Sequence, residues 1–161
     1  MPSLLFVCLG NICRSPLAEG VMRDILKKEG LDEKVKVDSA GILGFHAGEK
    51  PDPRTLQNAK THQIDMKGIV SRPFDIVDFK KFDQILAFDK RNFQALQCLA
   101  KTEEEKGKID YFRNLHCPGE NLEVPDPYYG DSDVFEGVFQ IILQTCNTYV
   151  RLFKTDFLQK N

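Results

Sequence analysis

Ser3-Leu4-Leu5-Phe6-Val7-Cys8 is an apolar run with no alternation after its first residue. A strand with one wet face alternates polar and apolar positions, whereas a strand covered on both faces reads as a continuous apolar run. The chain then changes character within eight residues, Leu9-Gly10-Asn11-Ile12-Cys13-Arg14-Ser15-Pro16. Beyond them Leu17, Val21, Ile25 and Leu26 recur at helical spacing, predicting a helix over 16–29. Ser15 is expected to cap that helix, Pro16 to open it and Gly30 to stop it. A doubly covered strand feeding a short loop and a helix is the start of an α/β fold with a parallel sheet.

The rest of the chain repeats this alternation. Strands are expected at 35–41, 84–88 and 109–112, with helices over 53–62, 90–100 and 132–157. Val77 to Lys81 predicts a short helix or turn, and the acidic run Thr102-Glu103-Glu104-Glu105 a solvated loop. Strands separated by helices imply right-handed crossovers and helices on both faces of the sheet. Ligands in such sheets bind at the carboxyl ends of strands, which is where Cys8 to Arg14 would lie.

The length of 161 residues suggests a single domain spanning 1–161. A net charge of −2 gives no electrostatic case for nucleic acid or an anionic membrane surface. No apolar run approaches the roughly 20 residues needed to span a bilayer, and the N-terminus lacks the basic and small-residue features of a signal peptide. The five cysteines, at 8, 13, 98, 117 and 146, form an odd set without a regular framework. These features point to free thiols and a cytoplasmic location. No C-x-x-C pair exists and His46, His62 and His116 stand apart, so neither zinc nor another metal or cofactor is expected.

The loop after the first strand has the composition of an oxyanion cradle. A strand running into a helix N-terminus presents unpaired backbone N–H groups at the positive end of the helix dipole. Gly10 and Asn11 tolerate left-handed backbone angles that turn N–H groups inward, and Arg14 can fork onto phosphate oxygens. The G-x-x-x-x-G-K-[ST] pattern of nucleotide-binding loops is absent. Surroundings that bind phosphate also stabilise a thiolate, which makes Cys8 a candidate nucleophile for in-line attack on a phosphoryl group. The Ser15 hydroxyl can donate to the Cys8 sulfur, and Arg14 can hold the developing charge. A departing phenolate also needs an acid. The one carboxylate in an unusual setting is Asp126, fixed between Pro125 and Pro127 and followed by Tyr128, Tyr129 and Gly130.

With V-C-L-G-N-I-C-R-S-P at 7–16, D-S-A-G at 38–41 and D-P-Y-Y-G at 126–130, the chain resembles the low-molecular-weight protein tyrosine phosphatases. The resemblance implies a four-stranded parallel sheet in the order 2-1-3-4. It implies Cys8 as nucleophile, Arg14 as phosphate clamp, Ser15 as thiolate stabiliser and Asp126 as general acid and then base. Leu9, Gly10, Asn11, Ile12 and Cys13 would complete the phosphate loop, with Asn11 supported by a network including Ser39. Cys13 would be the second thiol that can pair reversibly with Cys8 on oxidation. Leu9, Ile12, Phe45, Tyr128 and Tyr129 would shape the substrate slot, and both tyrosines resemble sites at which the family is itself phosphorylated. The implied partners are tyrosine-phosphorylated proteins. One departure stands out: many members carry a histidine shortly before the residue matching Arg72, and Met66 to Ser71 contains none. Any hydrogen-bond network built on that histidine must be built differently in this chain.

Three alternatives share parts of the pattern. An arsenate reductase needs a further close pair of cysteines, and Cys98 and Cys117 are 19 positions apart. A protein arginine phosphatase resembles this chain but carries threonine where Ile12 stands, and an isoleucine offers only apolar surface. A non-catalytic phosphate-binding or redox-sensing module would lack the nucleophile, the arginine or the acid, and all three are present.

Overall fold

In the computed structural model, which describes residues 1–161, β1 (Ser3–Cys8) is buried along its whole length. It lies between β2 (Lys36–Gly41) and β3 (Gln84–Ala87), and β4 (Ile109–Tyr111) completes a parallel sheet in the order β2-β1-β3-β4. The continuous apolar run is thereby explained by helices on both faces. Leu4, Phe6 and Cys8 face a layer built on α1 (Arg14–Lys28), α2 (Pro53–Thr61) and α6 (Ser132–Lys160). Leu5 and Val7 face the opposite layer, where Phe79 of α3 (Asp78–Lys81) and Leu96 of α4 (Lys90–Leu99) pack. Phe6 meets Phe112 and Phe88 edge-on, with ring centroids 5.2 and 6.4 Å away. No helix is long and apolar enough to cross a membrane.

Three local expectations are corrected. The first helix begins at Arg14, so Ser15 is not its cap; Cys13 holds the cap position and makes no side-chain capping bond. The Ser15 hydroxyl is taken instead by Cys8 and Asn11, contacts that a local reading of the sequence does not contain. The acidic run is not a loop but the start of α5 (Glu103–Gly107). Thr102 Oγ1 accepts from Glu105 N at 3.1 Å while the Glu105 carboxylate accepts from Thr102 N at 3.3 Å, a reciprocal capping box that the density of charge obscures. Finally, α6 continues to Lys160, carried by the stacked rings of Tyr149, Phe153 and Phe157.

Asp52 accepts from Arg54 N at 2.8 Å as the N-cap of α2, and Pro53 opens that helix. The backbone N–H of Asp52 donates to Ile12 O at 2.8 Å, tying the start of α2 to the loop after β1. Because Phe6 is fully buried between two other phenylalanines, Phe6→Ala is expected to cost about 3–5 kcal/mol of folding stability in urea denaturation.

Candidate active site

Residues 9–13 connect the carboxyl end of β1 to α1, and none of their backbone N–H groups donates a hydrogen bond within the chain. Asn11 takes the left-handed conformation, with φ of 55°. Gly10 does not, contrary to the expectation, and its role is one of space. A Cβ there would stand 3.2 Å from Cδ2 of His46, whose imidazole packs on the loop. Gly41 faces the loop from β2, where a Cβ would lie 3.0 Å from the backbone of Leu9 and Gly10.

Asn11 is 1% exposed and serves the loop from beneath. Its Oδ1 accepts from Arg72 N at 3.0 Å, and its Nδ2 donates to Ser15 Oγ at 2.7 Å and to Ser39 Oγ at 3.0 Å. Three bonds of about 1 kcal/mol each outweigh the roughly 1–2 kcal/mol cost of the left-handed backbone. No histidine takes part in this network. Arg72 itself is held by Asp38 and Asp78, with Nη2–Oδ2 and Nη1–Oδ2 separations of 3.0 Å each.

The cleft above the loop is lined by Cys8, Leu9, Gly10, Ile12, Cys13, Arg14, Phe45, Asp126, Tyr128 and Tyr129, joined by Leu43 and His46. Asn11, Ser15 and Ser39 lie behind its wall, all of them buried. Cys8 Sγ is 2.9 Å from Ser15 Oγ. Arg14 is 2% exposed, and its Nη1 donates to Asp89 Oδ2 at 2.8 Å and to the Val124 carbonyl at 2.9 Å. Nη2 is thereby presented to the cleft, 3.7 Å from Asp126 Oδ2. Burial opposes the charge on Arg14, but the Cys8 sulfur, Asp89 and Asp126 outweigh it and hold the guanidinium more firmly protonated than a free arginine. Asp126 is half-exposed, and its Oδ1 accepts from Tyr128 N at 3.1 Å, which holds the carboxylate at the rim.

Several of these contributors were not foreseen from the sequence. Asp89 caps α4 through Oδ1, accepting from Asn92 N at 2.8 Å, while its Oδ2 holds Arg14. Its capping role was legible in the residues around it, but its reach to a residue 75 positions away was not. Glu19 accepts from the Ser39 hydroxyl at 2.6 Å. His46 lines the cleft with its Nδ1 2.7 Å from Glu49 Oε2.

The model of the family described as "Low molecular weight phosphotyrosine protein phosphatase" matches residues 3–160. The chain belongs to that family. It is 41% identical over 149 residues to low molecular weight protein-tyrosine-phosphatase YfkJ of Bacillus subtilis (strain 168), covering 91% of this chain and 92% of that relative. It is 38% identical over 149 residues to the low molecular weight phosphotyrosine protein phosphatase of Homo sapiens, covering 92% of this chain and 93% of that one. A crystal structure of protein tyrosine phosphatase from Entamoeba histolytica superposes with a TM-score of 0.88 at 37% identity, over 97% of this chain and 99% of that chain.

The second thiol of the phosphatase loop differs sharply in character from an exposed one. Burial pushes the Cys13 thiol up to about 12, against a lowering by its contact with Thr55, so it stays protonated near neutral pH. In iodoacetamide labelling at pH 8, followed by mass spectrometry, Cys13 is expected to react at least about a hundredfold more slowly than the exposed Cys98.

Proposed function

We propose that this phosphatase, acting as one unit over residues 1–161, hydrolyses phosphotyrosine in proteins through a phosphocysteine intermediate on Cys8. The observation that carries the reading is the convergence of Cys8, Arg14 and Asp126 on one cleft. The unpartnered N–H groups of residues 9–13, together with Nη2 of Arg14, would receive the three non-bridging oxygens of the phosphoryl group. The Cys8 sulfur then attacks phosphorus in line with the phenolic oxygen, the S–P bond forming as the P–O bond breaks. Asp126 gives its proton to the departing phenolate. A water next attacks phosphorus, Asp126 takes the proton, and the S–P bond breaks to return the thiolate to the Ser15 hydroxyl. Leu9, Ile12, Phe45, Tyr128 and Tyr129 supply the apolar and aromatic walls for the substrate ring.

The depth of the site supports the choice of substrate. Cys8 is 3% exposed whereas Phe45 and Tyr129 stand almost fully exposed at the mouth, so a phosphate must be carried to the sulfur on a long side chain. Phosphoserine is too short to make that reach well. The apolar Ile12 side chain supports an aromatic ring over the polar guanidinium of phosphoarginine. Cys13 is assigned to protection: once peroxide has converted Cys8 to a sulfenic acid, the Cys13 sulfur displaces water to form a reversible disulfide.

The decisive assay is phosphate release from a phosphotyrosyl peptide at mildly acidic pH, with reductant and EDTA. Wild type is expected to turn over and Cys8→Ser to show none; a folded, reduced wild type without turnover overturns the reading. Asp126→Ala is expected to lose about 10²–10⁴-fold in kcat on aryl phosphates. That loss should grow as the leaving phenol becomes less acidic, and an equal loss across a series of leaving groups would remove Asp126 from the acid role.

A further inference from the structure

Glu19 sits on α1 five residues after Arg14 and is 3% exposed. It lines no part of the cleft, yet it ends a line of hydrogen bonds that begins at Cys8: Cys8 Sγ to Ser15 Oγ at 2.9 Å, Ser15 to Asn11 at 2.7 Å, Asn11 to Ser39 at 3.0 Å and Ser39 to Glu19 Oε2 at 2.6 Å. The other carboxylate oxygen pairs with Arg23 Nη2 at 2.5 Å.

The direction of this line is forced by donor and acceptor chemistry. The Arg72 backbone N–H can only donate, so the atom facing it is Asn11 Oδ1, and the atom facing the two serines is the Asn11 NH2 group. An NH2 group can only donate, so both serine oxygens accept from it. Each hydroxyl proton is left for the serine's remaining partner. For Ser39 that partner is Glu19, a carboxylate; for Ser15 it is the Cys8 sulfur. We propose that Glu19 is a positioning residue for Cys8: by accepting the hydrogen bond of the Ser39 hydroxyl it fixes Ser39 as an acceptor for Asn11, and the ordered chain directs the Ser15 O–H at the sulfur.

Burial of the Glu19 carboxyl raises its pKa, while Ser39 and Arg23 oppose that rise. The charged groups that face it are Arg23 on α1, Asp38 on β2 and Arg72 before α3. Holding a charged acceptor in this position is costly, which is the mark of a group kept for its hydrogen bond rather than for packing.

The catalytic consequence rests on Cys8 being the nucleophile, but the test reads the thiolate itself, so the two readings can fail separately. The rate of Cys8 alkylation by iodoacetamide, followed by mass spectrometry across pH, reports its ionised fraction. Two effects of Glu19→Gln then have opposite signs. A carboxylate acting through its charge alone repels a thiolate, so its neutralisation makes Cys8 more ionised. Loss of the ordered chain does the reverse: Arg23, held also by the Val37 carbonyl, claims the single amide oxygen of Gln, and the NH2 group left facing Ser39 can only donate. We expect Cys8 in Glu19→Gln to be about three- to tenfold less ionised at a given pH, the size of one ordinary hydrogen bond, because the Ser15 O–H is misdirected rather than removed. Glu19→Asp keeps the charge but falls one methylene short of Ser39, and should shift Cys8 in the same direction. It also serves as the reading if the Gln variant fails to fold by circular dichroism. In a Ser39→Ala background, where the link is already cut, neither substitution should lower the ionised fraction further, and Glu19→Gln should leave only the rise expected from its lost charge. An unchanged or more ionised Cys8 in the single variants, or an undiminished fall in the Ser39→Ala background, overturns the proposal.

Discussion

The site depends on the Asn11 amide. One side chain joins three segments distant in sequence: the phosphate loop, the end of β2 through Ser39 and the strand-like segment at Arg72. It also holds a non-glycine residue at positive φ, the conformation that leaves the loop N–H groups without partners inside the chain. Unpaired backbone donors are normally costly, and they are tolerable here because they face a cleft where solvent or an oxyanion can reach them. An alanine at this position would lose all three bonds and the tolerance for the left-handed backbone together.

Arg14 shows a related economy. A guanidinium carries five N–H donors, and burial of the whole residue demands that those pointing inward be satisfied. Asp89 and the Val124 carbonyl both take Nη1, so the inner half of the fork is structural and Nη2 is left for the cleft. Because Asp89 also caps α4, the position of the Arg14 guanidinium is tied to the start of a helix on the opposite layer of the sheet. Val124 and Asp126 lie on one short segment, so the guanidinium held by the Val124 carbonyl also approaches the Asp126 carboxylate, at 3.7 Å. Arg14 and Asp126 are thereby registered to each other without a dedicated contact between secondary elements.

Much of this is legible in the sequence. The unbroken apolar run at β1, the turn residues after it and the helical spacing beyond Pro16 are local signals, and each corresponds to an observed element. The Cys8 loop and the proline-bounded Asp126 were recognisable because their residue types are poorly explained by packing. The misreadings were of two kinds. The capping box at Thr102 and Glu105 was present in the sequence and was masked by its charge. The assignment of Ser15 as a cap failed for another reason: serine caps helices and bonds to sulfur with the same hydroxyl, and only the fold decides which partner is within reach.

The sequence by itself determined the succession of the main strands and helices along the chain and the central chemistry of the site, Cys8, Arg14, Ser15 and Asp126. These follow from periodicity, backbone preference and side-chain chemistry, all of which act over a few residues. Tertiary structure alone decided how Asp89, Glu19, Arg72 and His46 enter the site. Their contacts to Arg14, Ser39, Asn11 and the Gly10 loop depend on how strands pair and helices pack. Hydrogen bonds of 2.6 to 3.0 Å set those roles, and chain positions tens of residues apart carry no local trace of such distances.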